Sequence, residues 1–396
     1  MVMDTKTEQT TKTNLYCALQ STGLTISDNI GRVTPCCHFD PEHNLNLPSI
    51  FDIDRLDQNY TNSKDMVKSR KQTSKGIHIP ECVTCWNREN IYNDSRRLYF
   101  NTKITGRGNF ENLELALDNT CNLMCRICAP KHSSKWSSAK DVLEELAKIT
   151  NQQQLYKPVN VKKKYGDNLK RVLGNTDLEN LKSVTVVGGE PFFSKNFSWF
   201  IDLLYKKTDY KNLSFDTITN ATIIPDTEII EKMLKFKHIK VKFSIDAVGD
   251  LFNVTRHGVP WETVYSNLKI WATLAKKHGN LDIRANPTIS ILNINKMQDI
   301  VDTLKPLGIV VVPHMLQGPS WLVPEQIPLE YRKKWQVRYD HREQGGKMNK
   351  MICSERKVPN VLDKFLNCSK VLDSHYGVSF KDVNPTIWKL ARKMQI

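Results

Sequence analysis

Three cysteines fall within one short stretch, Cys121-Asn-Leu-Met-Cys125-Arg-Ile-Cys128, directly after the apolar run Leu115-Ala-Leu. A disulfide would use two of these thiols and strand the third. A closed zinc site takes four ligands. A cubane held by three thiolates keeps one iron open to an outside ligand, which suits chemistry better than electron storage. The C-x3-C-x2-C spacing therefore points to an iron–sulfur cluster with one open position.

A second set precedes it. Cys17 is followed by Gly31-Arg-Val-Thr-Pro35-Cys36-Cys37-His38 and later by Pro80-Glu-Cys82-Val-Thr-Cys85-Trp86. Cys82 and Cys85 form a tight C-x2-C knuckle, a strong ligand signal. Cys17, Cys36, Cys82 and Cys85 can close one site by folding over residues 50–71, a stretch fit for a short helix or two. Neighbouring side chains diverge, so Cys36 and Cys37 do not both ligate. Zinc and iron–sulfur sites share this ligand set, and residue types alone leave both open. Cys353 and Cys368 have no knuckle and read as free buried thiols.

The elements that must position these groups alternate from residue 111 onward. Strand patterns cover 113–119, 183–187, 213–219, 239–245, part of 281–291, and 309–314. Helical periodicity covers 136–149, 197–205, 226–236, 261–278 and 295–304. Residues 150–180 read as a polar, basic insertion with weak structure. Six strand–helix units imply an α/β fold, a partial (β/α)6 barrel of parallel strands. In such folds the chemistry lies at the C-terminal strand ends. The three cysteines, Gly188-Gly-Glu-Pro191, Asn220 and Asp246 all follow expected strand ends. The expected organisation is a disordered start (1–14), a small cysteine-rich module (15–107), the partial barrel (108–315) and a mainly helical C-terminal extension (316–396).

The 396 residues are 40% hydrophobic and 25% charged, as expected of a folded chain with two or three domains. No apolar run approaches the ~20 residues that cross a bilayer, and the first residues lack an apolar signal core. A cytoplasmic location is expected, with cysteines serving as ligands rather than as disulfides. The net charge of +15 is spread along the chain. Solvated lysine faces explain it better than nucleic acid, because no RNA-binding aromatic motif or zinc-finger spacing accompanies the charge.

Taken together, Cys121-x3-Cys125-x2-Cys128 and Gly188-Gly189-Glu190-Pro191 resemble the radical S-adenosylmethionine (radical SAM) superfamily. The earlier cysteines, with Gly-x-Val-x-Pro-Cys and a late Cys-x2-Cys, resemble its twitch or SPASM-type auxiliary-cluster module. That module normally follows the barrel and here precedes it. The resemblance spans about residues 15–315. It implies that Cys121, Cys125 and Cys128 bind three irons of a [4Fe-4S] cluster, and that SAM chelates the fourth. Gly188, Gly189 and Glu190 would hold the SAM ammonium, with Pro191 fixing the turn. Ser244 and Asp246 would lie near the SAM carboxylate and ribose. Asn220 would line the pocket, Arg256 would neutralise the SAM carboxylate, and Asn293 would contact SAM. Ile127 stands where many members carry an aromatic residue, so a ring contact to adenine is absent.

The resemblance further implies reductive cleavage of SAM, fed by an external flavodoxin- or ferredoxin-like donor, and hydrogen abstraction from a substrate. It shifts the expectation for the second site to an iron–sulfur cluster over zinc, with Cys36 rather than Cys37 as ligand because Cys36 follows Pro35. The expected substrate is a peptide or protein side chain. The alternatives are radical SAM modification of nucleic acid or a nucleotide, and a non-catalytic zinc- or iron–sulfur-binding redox protein.

Overall fold

The computed structural model describes residues 15–26, 31–40, 47–56, 60, 62–104, 110–158, 164–339 and 342–395. The expected disordered start at 1–14 lies outside the described residues. A seven-stranded sheet organises the chain. Its strands, numbered here in spatial order, are Gly23–Ile26, Asn112–Ala116, Ser183–Val187, Ser214–Thr219, His238–Phe243, Leu281–Ala285 and Val310–Val311. Every neighbouring pair is parallel. Spatial order equals chain order, as successive right-handed strand–helix units produce. The α/β partial barrel expected from the alternation is the fold observed. The six expected strand regions supply strands two to seven.

The first strand comes from the cysteine-rich segment. Gly23 to Ile26 pair with Asn112 to Leu115, so the edge of the barrel sheet is built by residues that precede it by a long stretch. Gly23 is needed there, because a Cβ would stand 2.6 Å from the carbonyl oxygen of Pro35. That contact seats Pro35-Cys36 against the strand.

Residues 150–180 differ from expectation. They contain the helix Tyr165–Asn175, which buries Tyr165, Leu169, Val172 and Leu173 on one face. The helical period was present but lay behind a lysine-rich flank. The Tyr165 hydroxyl donates to the Ala116 carbonyl at 2.7 Å, tying this crossover helix to the end of the second strand.

Two faces of the sheet differ sharply. Along Ser214–Thr219 and His238–Phe243, buried and half-buried residues alternate strictly. The outer face carries Phe215, Ile239, Val241 and Phe243 against the helices, where Phe215 stacks on Phe236 at 5.2 Å. The inner face carries Asp216, His238, Lys240 and Lys242. Parallel sheets covered on both faces read as continuous apolar runs. The alternation here means that the inner face meets a polar lumen rather than a second hydrophobic layer.

The C-terminal extension is mainly helical, as expected, with helices Arg342–Ile352, Leu362–Tyr376 and Pro385–Lys393. Leu362–Tyr376 packs on the helix Lys140–Thr150 that follows the cysteine loop. No described helix is long and apolar enough to cross a membrane.

Candidate active site

The cysteine loop and the Gly-Gly-Glu turn are held together by backbone. Leu117 N–H donates to Val187 O at 3.3 Å, Gly189 N–H to Asp118 O at 2.9 Å, and Glu190 N–H to Thr120 O at 2.8 Å. The approach leaves no room for side chains. A Cβ on Gly188 would stand 2.6 Å from Asp118 O, and one on Gly189 would stand 2.3 Å from Thr120 O. Gly188 also has φ of +141°, which side chains avoid. Gly258 plays the same part on the other side, with φ +133° and only 2.7 Å from an added Cβ to Asn122 O. The Asp118 side chain braces the loop, accepting from Thr120 N–H at 2.8 Å and from Ser194 Oγ at 2.5 Å.

Several donors are aimed at the cysteine sulfurs. Leu123 N–H lies 3.5 Å from Cys121 Sγ, Asn220 Nδ2 lies 3.9 Å from the same atom, and Arg256 Nη1 lies 3.8 Å from Cys125 Sγ. Met124–Cys125 pairs antiparallel with Arg256–His257, which fixes Arg256 opposite Cys125. Burial pushes all three thiols up, Cys128 to about 12. A metal centre bound there must therefore displace protons. The N–H donors facing Cys121 and the buried Cys125 suit thiolate ligands of a cluster.

Glu190 is buried beneath this loop. Its carboxylate accepts from Phe192 N–H at 3.1 Å, Thr219 Oγ1 at 2.7 Å and Asn220 N–H at 2.6 Å. Burial pushes its pKa up to about 7, against the opposing pull of these three donors and of Arg256. Pro191 starts the turn Pro191–Phe193 that follows. The Asn220 side chain belongs to a network with Asn122 and Thr222. Asn220 Nδ2 donates to Asn122 Oδ1 at 3.0 Å, and Thr222 Oγ1 donates to Asn220 Oδ1 at 2.6 Å.

Asp246 and Arg256 pair with each other. Arg256 Nε and Nη2 each lie 2.7 Å from Asp246 Oδ2. The other oxygen, Oδ1, accepts from Thr288 N–H at 2.7 Å. Asn293 is fully buried, with Nδ2 donating to Asp246 O at 2.7 Å and Oδ1 accepting from Ser290 N–H at 2.8 Å. Asn293 thus braces Asp246, which braces Arg256 against the cysteine loop. Ser244 is half-buried at the end of the fifth strand, its N–H held by Thr219 O at 2.8 Å.

The helix Leu362–Tyr376 of the C-terminal extension packs on the loop. The Tyr376 hydroxyl donates to Met124 O at 2.7 Å, and its ring stacks on His257 at 4.2 Å. Arg126 donates to Val254 O at 2.8 Å and pairs with Asp373. Sequence reasoning missed Asp118, Asn122, Arg126, Thr219, Thr222, Gly258 and Tyr376. Only Gly258 and Asp118 carried a signal, as a glycine and an acid beside the motifs.

At the other site, Cys17, Cys36, Cys82 and Cys85 line one small cavity with His38 and Arg97. Gln20 Nε2 lies 3.8 Å from Cys82 Sγ, and His38 Nδ1 lies 4.0 Å from Cys85 Sγ. Burial pushes these thiols up, Cys17 to about 11 and Cys36 to about 12. Cys37 turns away and faces Glu114 and Arg96. Among the described residues no three His, Cys, Asp or Glu side chains are gathered tightly enough to hold a single metal ion.

No family profile and no curated protein matches this chain. Solved structures do. Streptococcus suis SuiB bound to S-adenosylmethionine matches over 74% of this chain and 52% of its own, at 16% identity and TM-score 0.34. The same protein bound to its precursor peptide SuiA matches over 68% and 48%, at 18% identity and TM-score 0.32. Native anSMEcpe with bound AdoMet matches over 57% of this chain and 58% of its own, at 18% identity and TM-score 0.35. The match spans between 48% and 58% of the length of those proteins.

Three outcomes test this geometry. Gly189→Ala forces Asp118–Thr120 away from the turn, so iron bound on reconstitution falls severalfold while the far-UV dichroism is kept. Tyr376→Phe loses one buried hydrogen bond to the cysteine loop, about 1 kcal/mol, and lowers the melting midpoint without changing the helix content. Glu190 has a native pKa above its unfolded value. Its native form therefore holds a proton the unfolded chain has released, and stability of the apoprotein falls as pH rises from about 4.5 to about 7. Glu190→Gln flattens that part of the stability–pH curve, measured by urea unfolding.

Proposed function

We propose that this chain is a radical SAM enzyme that acts on a peptide or protein side chain. One observation carries the reading. The three-cysteine loop is locked onto the Gly-Gly-Glu strand end, so three thiols and a buried carboxylate converge at the C-terminal ends of neighbouring strands. Cys121, Cys125 and Cys128 would hold the cluster. The backbone of Gly188 and Gly189 and the carboxylate of Glu190 would hold the SAM ammonium, the group a buried carboxylate best neutralises. A [4Fe-4S] cluster with bound SAM would supply, on taking an electron from an external donor, a radical able to remove a hydrogen atom. The protein's own part is positional. Asp246 orients Arg256 beside Cys125, Asn220 orients Asn122, and Tyr376 of the helix Leu362–Tyr376 holds the Met124 carbonyl of the loop.

Cys17, Cys36, Cys82 and Cys85 would hold a second iron–sulfur cluster. All four line one cavity, as a four-thiolate site requires, and the resemblance to auxiliary-cluster modules favours an iron–sulfur cluster over zinc. The peptide substrate is supported by the resemblance of this module to those of SPASM-type enzymes. SuiB with its precursor peptide is in keeping with that reading.

Anaerobic reconstitution tests the proposal. Wild type should bind about eight irons, and Cys82→Ala about four. Dithionite-reduced wild type should form 5′-deoxyadenosine from SAM, and Cys121→Ala should form none. Absence of deoxyadenosine from iron-replete wild type, alone and with peptide, overturns the catalytic reading. About four irons with one zinc overturns the second cluster.

A further inference from the structure

A second feature lies at the N-terminal ends of the strands, the opposite end from the cysteine loop. A cavity of about 530 Å³ lies there, bounded by the starts of strands two to five and by the chain after the helix Arg96–Asn101. Its walls carry four lysines, Lys103, Lys182, Lys237 and Lys240, against two acids, Glu111 and Asp216.

Both acids are already engaged. Glu111 pairs with Lys182 at 2.9 Å, and Asp216 pairs with Lys242 at 2.7 Å. Lys240 is left 4.0 Å from that same Asp216 oxygen, with its side chain only 14% exposed. Lys103 and Lys237 have no ion pair among the described residues. Both are exposed, so their ammonium groups are open to an incoming anion, and Lys240 lies half-buried in the same wall. The hydroxyls of Thr185 and Ser214, which line the same wall, make no side-chain hydrogen bond among the described residues and can serve a carboxylate.

The charges are spread, not convergent. Lys237 and Lys240 stand three residues apart at the start of the fifth strand, about 10 Å along the chain. Ammonium groups so dispersed match several carboxylates along an extended chain rather than one phosphoryl group. The half-exposed Tyr99 ring at the rim adds an apolar shelf for a peptide backbone.

We infer that this cavity binds an acidic peptide segment, with its carboxylates against Lys103, Lys237 and Lys240. The inference deepens the peptide reading above and rests on it for the ligand being the substrate.

The test is anisotropy of labelled short peptides with the full, reconstituted chain, at low and moderate salt. A Glu-rich peptide should bind, its Gln counterpart should bind at least about tenfold more weakly, and added salt should weaken the former. Lys240→Met and the solvent-facing Lys237→Glu should each weaken binding about tenfold with unchanged melting. Equal binding by both variants and wild type overturns the site. Tighter, lysine-dependent binding of a single-stranded oligonucleotide overturns the peptide assignment. Binding needs no SAM cleavage. Lysine-dependent peptide binding without deoxyadenosine would therefore sink the enzymatic reading and leave the site standing, and the converse result would do the reverse.

Discussion

The site depends on one close approach, that of Gly188-Gly189 to the backbone of Asp118–Thr120. Backbone hydrogen bonds across that contact join the ends of two adjacent strands at the points where both leave the sheet. A loop carrying three thiols would otherwise wander, since C-x3-C-x2-C has no regular structure of its own beyond the two-residue strand Met124–Cys125. Gly258 repeats the device against Asn122, and Arg256 arrives on the same short strand. The thiols are thus placed by backbone contacts. Loop-borne ligands need such support to hold a geometry.

Behind the loop, polar groups act in chains rather than singly. Asn293 holds the Asp246 carbonyl, Asp246 holds Arg256, and Arg256 faces Cys125. Asn220 holds Asn122, and its own N–H meets Glu190. Residues that a linear motif would assign separately to a ligand are here connected to one another. The C-terminal extension completes the enclosure through Tyr376 and Asp373.

Much of this was legible in the sequence where the signal is local. The cysteine spacing, the Gly-Gly-Glu-Pro turn and the β-branched run Ser183–Val187 announce themselves within a few residues. What was hidden depends on contacts between distant stretches. Gly23–Ile26 shows no strand alternation, and its partner lies far along the chain. The helix Tyr165–Asn175 was masked by the lysines before it. Asp246 and Arg256 looked like two ligand contacts because nothing in their spacing shows that they face each other. The alternation His238-Ile-Lys-Val-Lys-Phe243 was visible, and it encodes the polar lumen. It carries that meaning only once both faces of the sheet are known.

The first strand has a consequence for modularity. Cys17 lies just before the short helix Leu19–Thr22 that leads into Gly23–Ile26, and Pro35-Cys36 rests on Gly23. The second set of thiols therefore hangs from the same hydrogen-bonded sheet that carries the first. The spacing between the two sites is set by strand geometry and not by a linker. Excising the cysteine-rich segment as a cassette would strip a strand from the sheet and bare the edge of Asn112–Ala116, an invitation to pair with another chain. The two centres share one scaffold, and evolution could exchange neither without rebuilding the other's support.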